Sequence, residues 1–206
     1  MAAPAGGADG LLIVVSGPSG VGKSTVVNAL CSRDDRVVRS VSMTTRRPRP
    51  DEVDGTHYHF VPPADFAKAR DRGDLLEWAE VHGHWYGTPR ARVAEQRAQG
   101  QSVVLAIDPQ GARAVRAADP SAVLVFLIPP SWPALEERLR RRGTEDGDAL
   151  ARRLRDARAE LGRAREYDYV VLNDRVETAA ETLHAIMVAE RCRSHRWQPL
   201  PIPPTD

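Results

Sequence analysis

With 206 residues, of which 42% are hydrophobic, the chain is long enough to bury one core and to carry one or two inserted lobes. Its 29 basic and 28 acidic residues nearly cancel, so the composition gives no general reason to expect binding to nucleic acid or to a membrane surface. Cys31 and Cys192 lie far apart without metal-ligand spacing, which argues against a disulfide scaffold and is typical of a reducing compartment.

Both ends of the chain are predicted to be tails. Residues 1–10 are small and lack the basic and apolar regions of a secretion signal, so we expect a disordered tail. Residues 191–206 are predicted to be a helix end followed by an extended, proline-rich tail. Because no apolar stretch is long enough to cross a bilayer, the sequence predicts a cytoplasmic protein.

A phosphate-binding loop is predicted at residues 17–24, GPSGVGKS. The apolar run 11–15 before it indicates a buried strand, and the stretch from Lys23 to about Ser32 indicates a helix. The glycines allow backbone N–H groups to surround an anion, Lys23 adds a compact positive charge and the Ser24 hydroxyl is placed to bind Mg²⁺. The residues predicted to contact ATP here are Gly17, Pro18, Ser19, Gly20, Val21, Gly22, Lys23, Ser24 and Thr25. The alternative is a chance glycine-rich turn, but the order of strand, loop and helix favours a nucleotide site.

Residues 37–88 are predicted to form a small β-rich lobe. Its first strand, at residues 37–45, runs into the segment SMTTRRPR, where three arginines lie within four residues. Such a loop presents guanidinium groups that bind phosphate oxygens in pairs, although a solvated basic turn is the ordinary alternative. The other predicted elements of the lobe are a strand at 56–61, a helix at 65–72 and a hairpin of 75–81 with 82–88.

After the lobe, helices and strands alternate again. The predicted elements are helices at 90–99, 110–118 and 177–190 and strands at 102–108, 122–128 and 169–172. This alternation predicts a doubly wound α/β fold with a parallel sheet and a site at the carboxyl ends of its strands. The run 122–128, AVLVFLI, is the most apolar strand and is expected at the centre of the sheet. The predicted core comprises residues 11–36, 89–130 and 166–190.

Residues 131–165 are predicted to form a core helix and an arginine-rich lid. A helix at 131–142 and a second helix from about residue 147 flank the turn GTEDG. Both carry many arginines and little apolar surface. Two highly charged helices of this kind are typical of a mobile flap.

These segments together resemble the guanylate kinases, enzymes that transfer the γ-phosphoryl group of ATP to GMP. The resemblance covers about residues 11–190 and rests on GPSGVGKST, SMTTRRPR followed by DEVDGTHYHF, EWAEVHGHWYGT, IDPQG, RRRGTE with the later RRL, and Asn173-Asp174. The loop alone is common to many ATPases, whereas the arginine segment followed by the hairpin is far more specific. The resemblance implies a P-loop three-layer α/β fold with a parallel central sheet, an inserted β-rich GMP-binding lobe and a helical lid.

The resemblance also implies a GMP site that reads the guanine base. The residues it assigns to GMP are Ser42, Arg46, Arg49, Tyr58, Glu77, Tyr86, Thr88 and Asp108. Guanine presents N–H donors beside the O6 acceptor, which suits the carboxylates of Glu77 and Asp108 on one side and the two hydroxyls on the other. The arginines and tyrosines of the set are implied to hold the phosphate. As alternatives, the tyrosines could be packing residues of strands and Glu77 an acid at the rim.

For phosphoryl transfer, the resemblance implies positioning and charge neutralisation without a covalent enzyme intermediate. The residues it assigns to catalysis are Lys23, Arg46, Arg138, Arg142 and Arg153. Asn173 is expected near the adenine. ATP and Mg²⁺ are the implied donor and cofactor, and GMP and dGMP the implied acceptors. Neither nucleic acid nor membrane is expected as a partner, and a monomer and a homo-oligomer both stay open.

Two positions depart from the family pattern. Ala106 stands where the family usually has an acid, so a metal–water contact there must be absent or supplied elsewhere, and Asp51 replaces a glycine before Glu52. Two other functions also stay open. A non-catalytic, phosphopeptide-binding relative would be expected to have lost the phosphate-binding loop, and a kinase for another phosphorylated ribose would not need the guanine-reading residues.

Overall fold

The computed structural model describes residues 10–81, 83–141 and 147–196, with only the backbone for 147–149. The strands are β1 (Leu12–Ser16), β2 (Val37–Arg39), β3 (Met43–Thr44), β4 (His59–Phe60), β5 (Leu75–Val81), β6 (His84–Pro89), β7 (Ser102–Ala106), β8 (Val123–Ile128) and β9 (Tyr169–Leu172). The helices are α1 (Lys23–Cys31), α2 (Pro63–Asp71), α3 (Arg90–Ala98), α4 (Pro109–Ala118), α5 (Trp132–Arg141), α6 (Gly147–Leu161) and α7 (Val176–Arg191). Most of the two predicted tails therefore lies outside the described residues.

The larger sheet is parallel, with strand order β2-β7-β1-β8-β9. Helices α1 and α7 cover one face, where Leu30, Leu183 and Met187 are buried. Helices α3 and α4 cover the other face, where Val93 and Val115 are buried. The predicted three-layer α/β fold is therefore confirmed.

The most apolar strand, β8, lies next to the central strand of the larger sheet and not at the predicted centre. Strand β8 has a neighbour on each side, but the middle of the described sheet is β1. Both strands are almost wholly buried between two layers of helices. Apolar content alone therefore cannot distinguish the central strand from the one beside it.

The smaller sheet has the order β4-β3-β6-β5. Strand β3 pairs in parallel with β4 and antiparallel with β6, and β5 and β6 form the predicted hairpin. Helix α2 packs on this sheet through Phe66 and Ala69, which are buried together with Leu75. This sheet therefore has an apolar core of its own, separate from that of the larger sheet.

The single strand predicted at residues 37–45 is wrong, because its two ends belong to different sheets. Strand β2 pairs with β7 in the larger sheet, whereas β3 belongs to the smaller one. The Ser40 N–H still donates to the Val104 carbonyl, and the Thr45 N–H donates to the Trp85 carbonyl. Residues 37–40, which were predicted to begin the lobe, therefore pair with the larger sheet.

The strand predicted at residues 56–61 is reduced to β4. The N–H groups of Thr56 and His57 both donate to the Val53 carbonyl and form a turn. The carboxylate of Asp54 accepts the Phe60 N–H. Because these local partners satisfy the backbone donors, the β-branched and aromatic residues before β4 do not join a sheet.

The helices α5 and α6 share more apolar surface than predicted. Leu135, Leu139 and Ala157 are buried in a cluster between them, on the sides of the helices that face each other. Leu139 also lies against the phosphate-binding loop, since a Cβ atom added to Gly20 would be 2.8 Å from its side chain. Within the described ranges, no helix has both the length and the apolar character needed to span a membrane.

Candidate functional site

The phosphate-binding loop connects the carboxyl end of β1 to the start of α1. Gly17 and Gly22 have φ angles of +145° and +100°, which side chains of L-residues rarely allow. A Cβ atom would also lie 2.4 Å from the Leu127 carbonyl oxygen at Gly17 and 2.7 Å from the Asn173 amide nitrogen at Gly22. The loop therefore requires glycine at both positions, and its N–H groups together with the N-terminus of α1 form a type of arrangement that can bind an anion.

Lys23 lies at the first turn of α1 and folds back over the loop. Its ammonium group donates to the carbonyl oxygens of Gly17 at 2.6 Å and Pro18 at 3.2 Å. These bonds hold the positive charge against the backbone of the loop. The loop backbone and Lys23, the two parts of the predicted phosphate-binding site, therefore lie next to each other.

A cavity of about 630 Å³ joins this loop to the smaller sheet. The predicted site residues that line it are Ser19, Gly20, Gly22, Lys23, Ser24, Ser42, Arg46, Arg49, Tyr58, Glu77, Tyr86, Asp108 and Arg153. The predicted residues that do not line it are Gly17, Pro18, Val21, Thr25, Thr88, Arg138 and Asn173. Arg142 lies outside the described residues. The predicted ATP-binding and GMP-binding residues thus meet in one space.

At the end of the cavity predicted to read the base, Glu77 is buried on β5 and is only 5% exposed. The Thr88 hydroxyl on the neighbouring strand donates to Glu77 Oε1 at 2.6 Å. Burial raises the pKa of Glu77 to about 7, with the charge of Asp108 adding to the effect and the Thr88 bonds opposing it. The Thr88 bond therefore holds the Glu77 carboxyl group in position, and the pKa of this group lies close to neutral pH.

Asp108 follows β7 and caps helix α4. Its carboxylate accepts the Gly111 N–H at 3.0 Å. A Cβ atom at Gly111 would lie 2.7 Å from Glu77 Oε2 and 3.2 Å from Asp108 Oδ1, so both carboxylates lie close to the N-terminal turn of this helix. The two predicted guanine-reading acids are therefore brought together from strands of different sheets.

At the end of the lobe predicted to hold the phosphate of GMP, Arg46 makes a two-pronged ion pair with Glu52. The two N–O distances are 2.9 and 2.8 Å, and the side chains are 15% and 10% exposed. Glu52 also accepts the Arg49 N–H at 2.8 Å. Its burial opposes ionisation, but the bonds from Arg46 and Arg49 keep the pKa of Glu52 below its ordinary value. Sequence reasoning missed this pairing, for which the only signal was an acid three residues after Arg49.

Two tyrosines lie beside this pair. The rings of Tyr58 and Tyr86 meet edge to face at 5.9 Å, and the Arg46 guanidinium lies 5.5 Å from the centre of the Tyr58 ring. Such contacts fix the orientation of the guanidinium group. The arginine and the two tyrosines predicted to hold a phosphate therefore converge on the same part of the cavity.

Two predicted site residues lie behind the phosphate-binding loop and not in the cavity. Arg138 on α5 donates to the carbonyl oxygens of Val21 at 3.2 Å and Asn173 at 3.1 Å. The Asn173 amide donates to the same Val21 oxygen at 2.7 Å, and Asn173 is 2% exposed. In this arrangement both residues support the backbone of the loop.

An acid that the sequence reasoning did not select also reaches the loop. Glu160, on the last turn of α6, accepts the Ser19 N–H through Oε2 at 3.3 Å and lines the cavity. Burial raises the pKa of Glu160, although the nearby charge of Lys23 opposes this. Its partner is 141 residues away in sequence, so no local pattern could have indicated the contact.

The chain is similar to known proteins over most of its length. A family model described as guanylate kinase matches residues 10–190. A guanylate kinase of Symbiobacterium thermophilum is 51% identical over 187 residues, which cover 91% of this chain and 89% of that protein. One of Aromatoleum aromaticum is 50% identical over 184 residues, covering 89% and 90%. A crystal structure of guanylate kinase from Anaplasma phagocytophilum has a TM-score of 0.76 and 35% identity, and the match covers 92% of this chain and 90% of that one. The chain belongs to the guanylate kinase family.

Proposed function

We propose that this protein transfers the γ-phosphoryl group of ATP to GMP, and also to dGMP, giving ADP and the corresponding diphosphate. The observation that carries the proposal is the single cavity that joins the phosphate-binding loop to the pair Glu77 and Asp108. A donor triphosphate and an acceptor nucleotide bound at these two ends would face each other across that cavity. Such positioning is the main requirement of phosphoryl transfer.

Selection of the base rests on the two carboxyl groups. The guanine N1–H and exocyclic amino group donate hydrogen bonds, and Glu77 and Asp108 can accept them. Adenine offers an acceptor at N1, which would leave the buried Glu77 carboxylate without a donor. Unpaired buried groups of this kind can exclude a base by several orders of magnitude.

The monophosphate of GMP would be held by Arg46, Arg49, Tyr58 and Tyr86. One of its oxygens attacks the γ-phosphorus as the bond to the ADP oxygen breaks, so the phosphoryl group moves directly to the acceptor. The acceptor oxygen is already ionised, which removes the need for a general base. The enzyme's part is to align the two nucleotides and keep water out.

Positive groups around the transferred phosphoryl group would stabilise its negative charge in the transition state. Lys23 at the loop and Arg153 at the cavity wall are the described residues that we assign to this role. Arg142 is assigned to it by sequence alone. Arg138 would first have to leave the two carbonyl oxygens that it now contacts.

Mg²⁺ fits the same end of the cavity. The Ser24 hydroxyl lines it next to Lys23, and oxygen is the ligand that Mg²⁺ prefers. Among the described residues no group of three or more His, Cys, Asp or Glu side chains could enclose a metal, so phosphate oxygens and water would complete the shell. When bound, the ion would neutralise charge on the β- and γ-phosphates. Ala106 stands where the family usually has an acid, and its methyl group cannot act as a ligand for the ion.

A coupled assay of ADP release with GMP, dGMP, AMP, CMP and UMP tests the proposal. We expect turnover with GMP and dGMP and background rates with the others. Absence of turnover with GMP would reject the function. Preference for another nucleotide would favour the kinase for a different phosphorylated ribose, and phosphopeptide binding without turnover would favour the non-catalytic module. We further propose that the protein acts in the cytoplasm on these small molecules, without nucleic acid or membrane partners.

A further inference from the structure

The contact between Glu160 and the phosphate-binding loop places a carboxylate where an anion is expected to bind. The loop N–H of Ser19 donates to Glu160 Oε2 at 3.3 Å. Glu160 lines the cavity beside Lys23 and Ser24. A carboxylate oxygen and a phosphate oxygen are both anionic acceptors for backbone N–H groups. They cannot occupy the same position on the Ser19 N–H.

The charge of Glu160 makes the conflict stronger than a shared hydrogen bond. The carboxylate lies at the loop and lines the same cavity as Lys23. Burial raises the pKa of this carboxyl group, and the positive charge of Lys23 opposes the rise and favours the ionised form. A triphosphate bound at the loop would meet this negative charge at close range. Either the carboxylate moves away or the affinity for the triphosphate falls.

The position of Glu160 is set by the packing of α6. Ala157, three residues earlier, is buried with Leu135 and Leu139 of α5. Leu139 in turn lies against Gly20 of the loop. The two helices and the loop are therefore in contact through both an apolar cluster and the Glu160 bond.

The same face of α6 also carries a positive group. Arg153 lies seven residues, or about two turns, before Glu160, and both line the cavity. A movement of α6 that withdraws Glu160 from the loop would also move Arg153 relative to the phosphates. One helix thus couples a repelling group to an attracting one.

We propose that Glu160 is a latch: its carboxylate holds α6 against the phosphate-binding loop in place of a phosphate oxygen, and the triphosphate of ATP must displace it. This inference rests on the proposed function, because it needs a nucleotide triphosphate at the loop. Its consequence is that ATP binding is weaker than the loop alone would give. A second consequence is that ATP entry and rearrangement of α6 become one event.

In the opposite role, Glu160 would assist binding of the nucleotide, for example by binding water around Mg²⁺ in place of the acid that Ala106 replaces. The two roles predict opposite changes in the affinity of the Glu160→Gln variant for a triphosphate. A latch makes the Glu160→Gln variant bind a triphosphate more tightly, with or without Mg²⁺. An assisting carboxylate makes the variant bind more weakly when Mg²⁺ is present.

The test is calorimetric titration of the full chain with a non-hydrolysable ATP analogue, with and without Mg²⁺. Glu160→Gln keeps a neutral acceptor for the Ser19 N–H and removes the charge. We expect three- to tenfold tighter binding, roughly the size of a partly screened charge interaction. The matched control is Glu95→Gln, which makes the same exchange at an exposed position on α3 where the acid pairs with Arg92, and we expect no change in affinity.

A second variant keeps the test decisive if the amide disturbs folding. Glu160→Asp retains the charge but shortens the side chain by one methylene, and we expect binding tighter than in the unaltered protein but weaker than in Glu160→Gln. Unchanged or weaker binding in both variants, with unaltered melting temperatures, overturns the latch. GMP titration of the same samples separates the two proposals: binding of the analogue and of GMP by the unaltered chain preserves the function even when the latch fails, whereas loss of both rejects function and latch together.

Discussion

The Thr88 hydroxyl donates to Glu77 Oε1 at 2.6 Å across the pair of strands β5 and β6. Thr88 is fully buried and Glu77 nearly so. The hydroxyl fixes one carboxylate oxygen, and the other, Oε2, lies beside Gly111 at the start of α4. If Glu77 reads the base as proposed, the bond connects the register of the hairpin to the choice of nucleotide.

Glu77→Gln should weaken the use of GMP. The amide presents an N–H group or a weaker acceptor where the guanine donors need a carboxylate, and a lost charge-assisted bond costs about 1.5–3 kcal/mol. We expect kcat/KM for GMP to fall about 10- to 100-fold, while the affinity for an ATP analogue stays within a factor of two. Steady-state kinetics and titration measure the two quantities. An equal loss for both nucleotides would indicate a misfolded protein and contradict the base-reading role.

Glu77 should also make stability depend on pH. Its pKa is raised from 4.5 to about 7 in the folded chain, so the folded state binds the proton more tightly. The stabilisation is full below pH 4.5, the pKa of the unfolded chain, and is lost as pH rises through about 7. The change is on the order of 3 kcal/mol. Urea denaturation of the unaltered chain and Glu77→Gln at pH 5 and pH 8 checks it: the unaltered chain should lose stability relative to the variant at pH 8.

Lys23→Ala should stop turnover while leaving the fold intact. The ammonium group donates to the loop carbonyls of Gly17 and Pro18, and its positive charge would stabilise the phosphate charge that develops during transfer. We expect kcat to fall by at least about 100-fold. The chain offers a matched control in Lys68→Ala, since Lys68 is exposed and pairs with Asp65 on α2. Retained activity in Lys23→Ala would reject the cradle, and lost activity in Lys68→Ala would question the assay.

Sequence reasoning worked where the determining pattern is local. The phosphate-binding loop lies between a strand and a helix at fixed spacing, and the β5–β6 hairpin alternates in burial over adjacent residues. It failed where the structure of a segment depends on a strand that is distant in the sequence. Residues 37–45 are continuous in β-propensity, yet Ser40 bonds toward β7 and Thr45 toward β6, so only the folded sheets separate them.

The same limit applies inside the site. Candidate residues for guanine and phosphate binding could be named from short motifs, and the structure brings most of them to one cavity. The contacts that support the loop could not be predicted, because Glu160 reaches it from a different helix and Arg138, although named from its motif, contacts a loop carbonyl 117 residues away. Supporting contacts of this kind depend on helix packing and produce no characteristic spacing of residues in the sequence.

Glu52→Gln should impair GMP binding through Arg46. The variant breaks a nearly buried two-pronged ion pair and weakens the bond to the Arg49 N–H. With the charged partner lost, the guanidinium group is held only by weaker contacts, among them the Tyr58 ring and the Arg47 carbonyl, and we expect KM for GMP to rise about tenfold and binding of an ATP analogue to persist. The control is Glu95→Gln, which breaks the exposed pair with Arg92 on α3 and should leave both parameters unchanged. An unchanged KM in Glu52→Gln would show that Arg46 orients itself without this acid.

Asn173→Ala should reduce stability and ATP affinity together. Its buried amide donates to the Val21 carbonyl at 2.7 Å, and its nitrogen occupies the space that a side chain at Gly22 would need. Removing it leaves the carbonyl with Arg138 as its remaining side-chain partner among the described residues and opens a gap behind the loop. We expect about 1–3 kcal/mol less stability, measured by urea denaturation, and severalfold weaker binding of an ATP analogue with GMP binding unchanged. Asp174→Asn, at the exposed neighbouring position, serves as the control. If stability fell but ATP affinity did not, Asn173 would support the fold without shaping the loop.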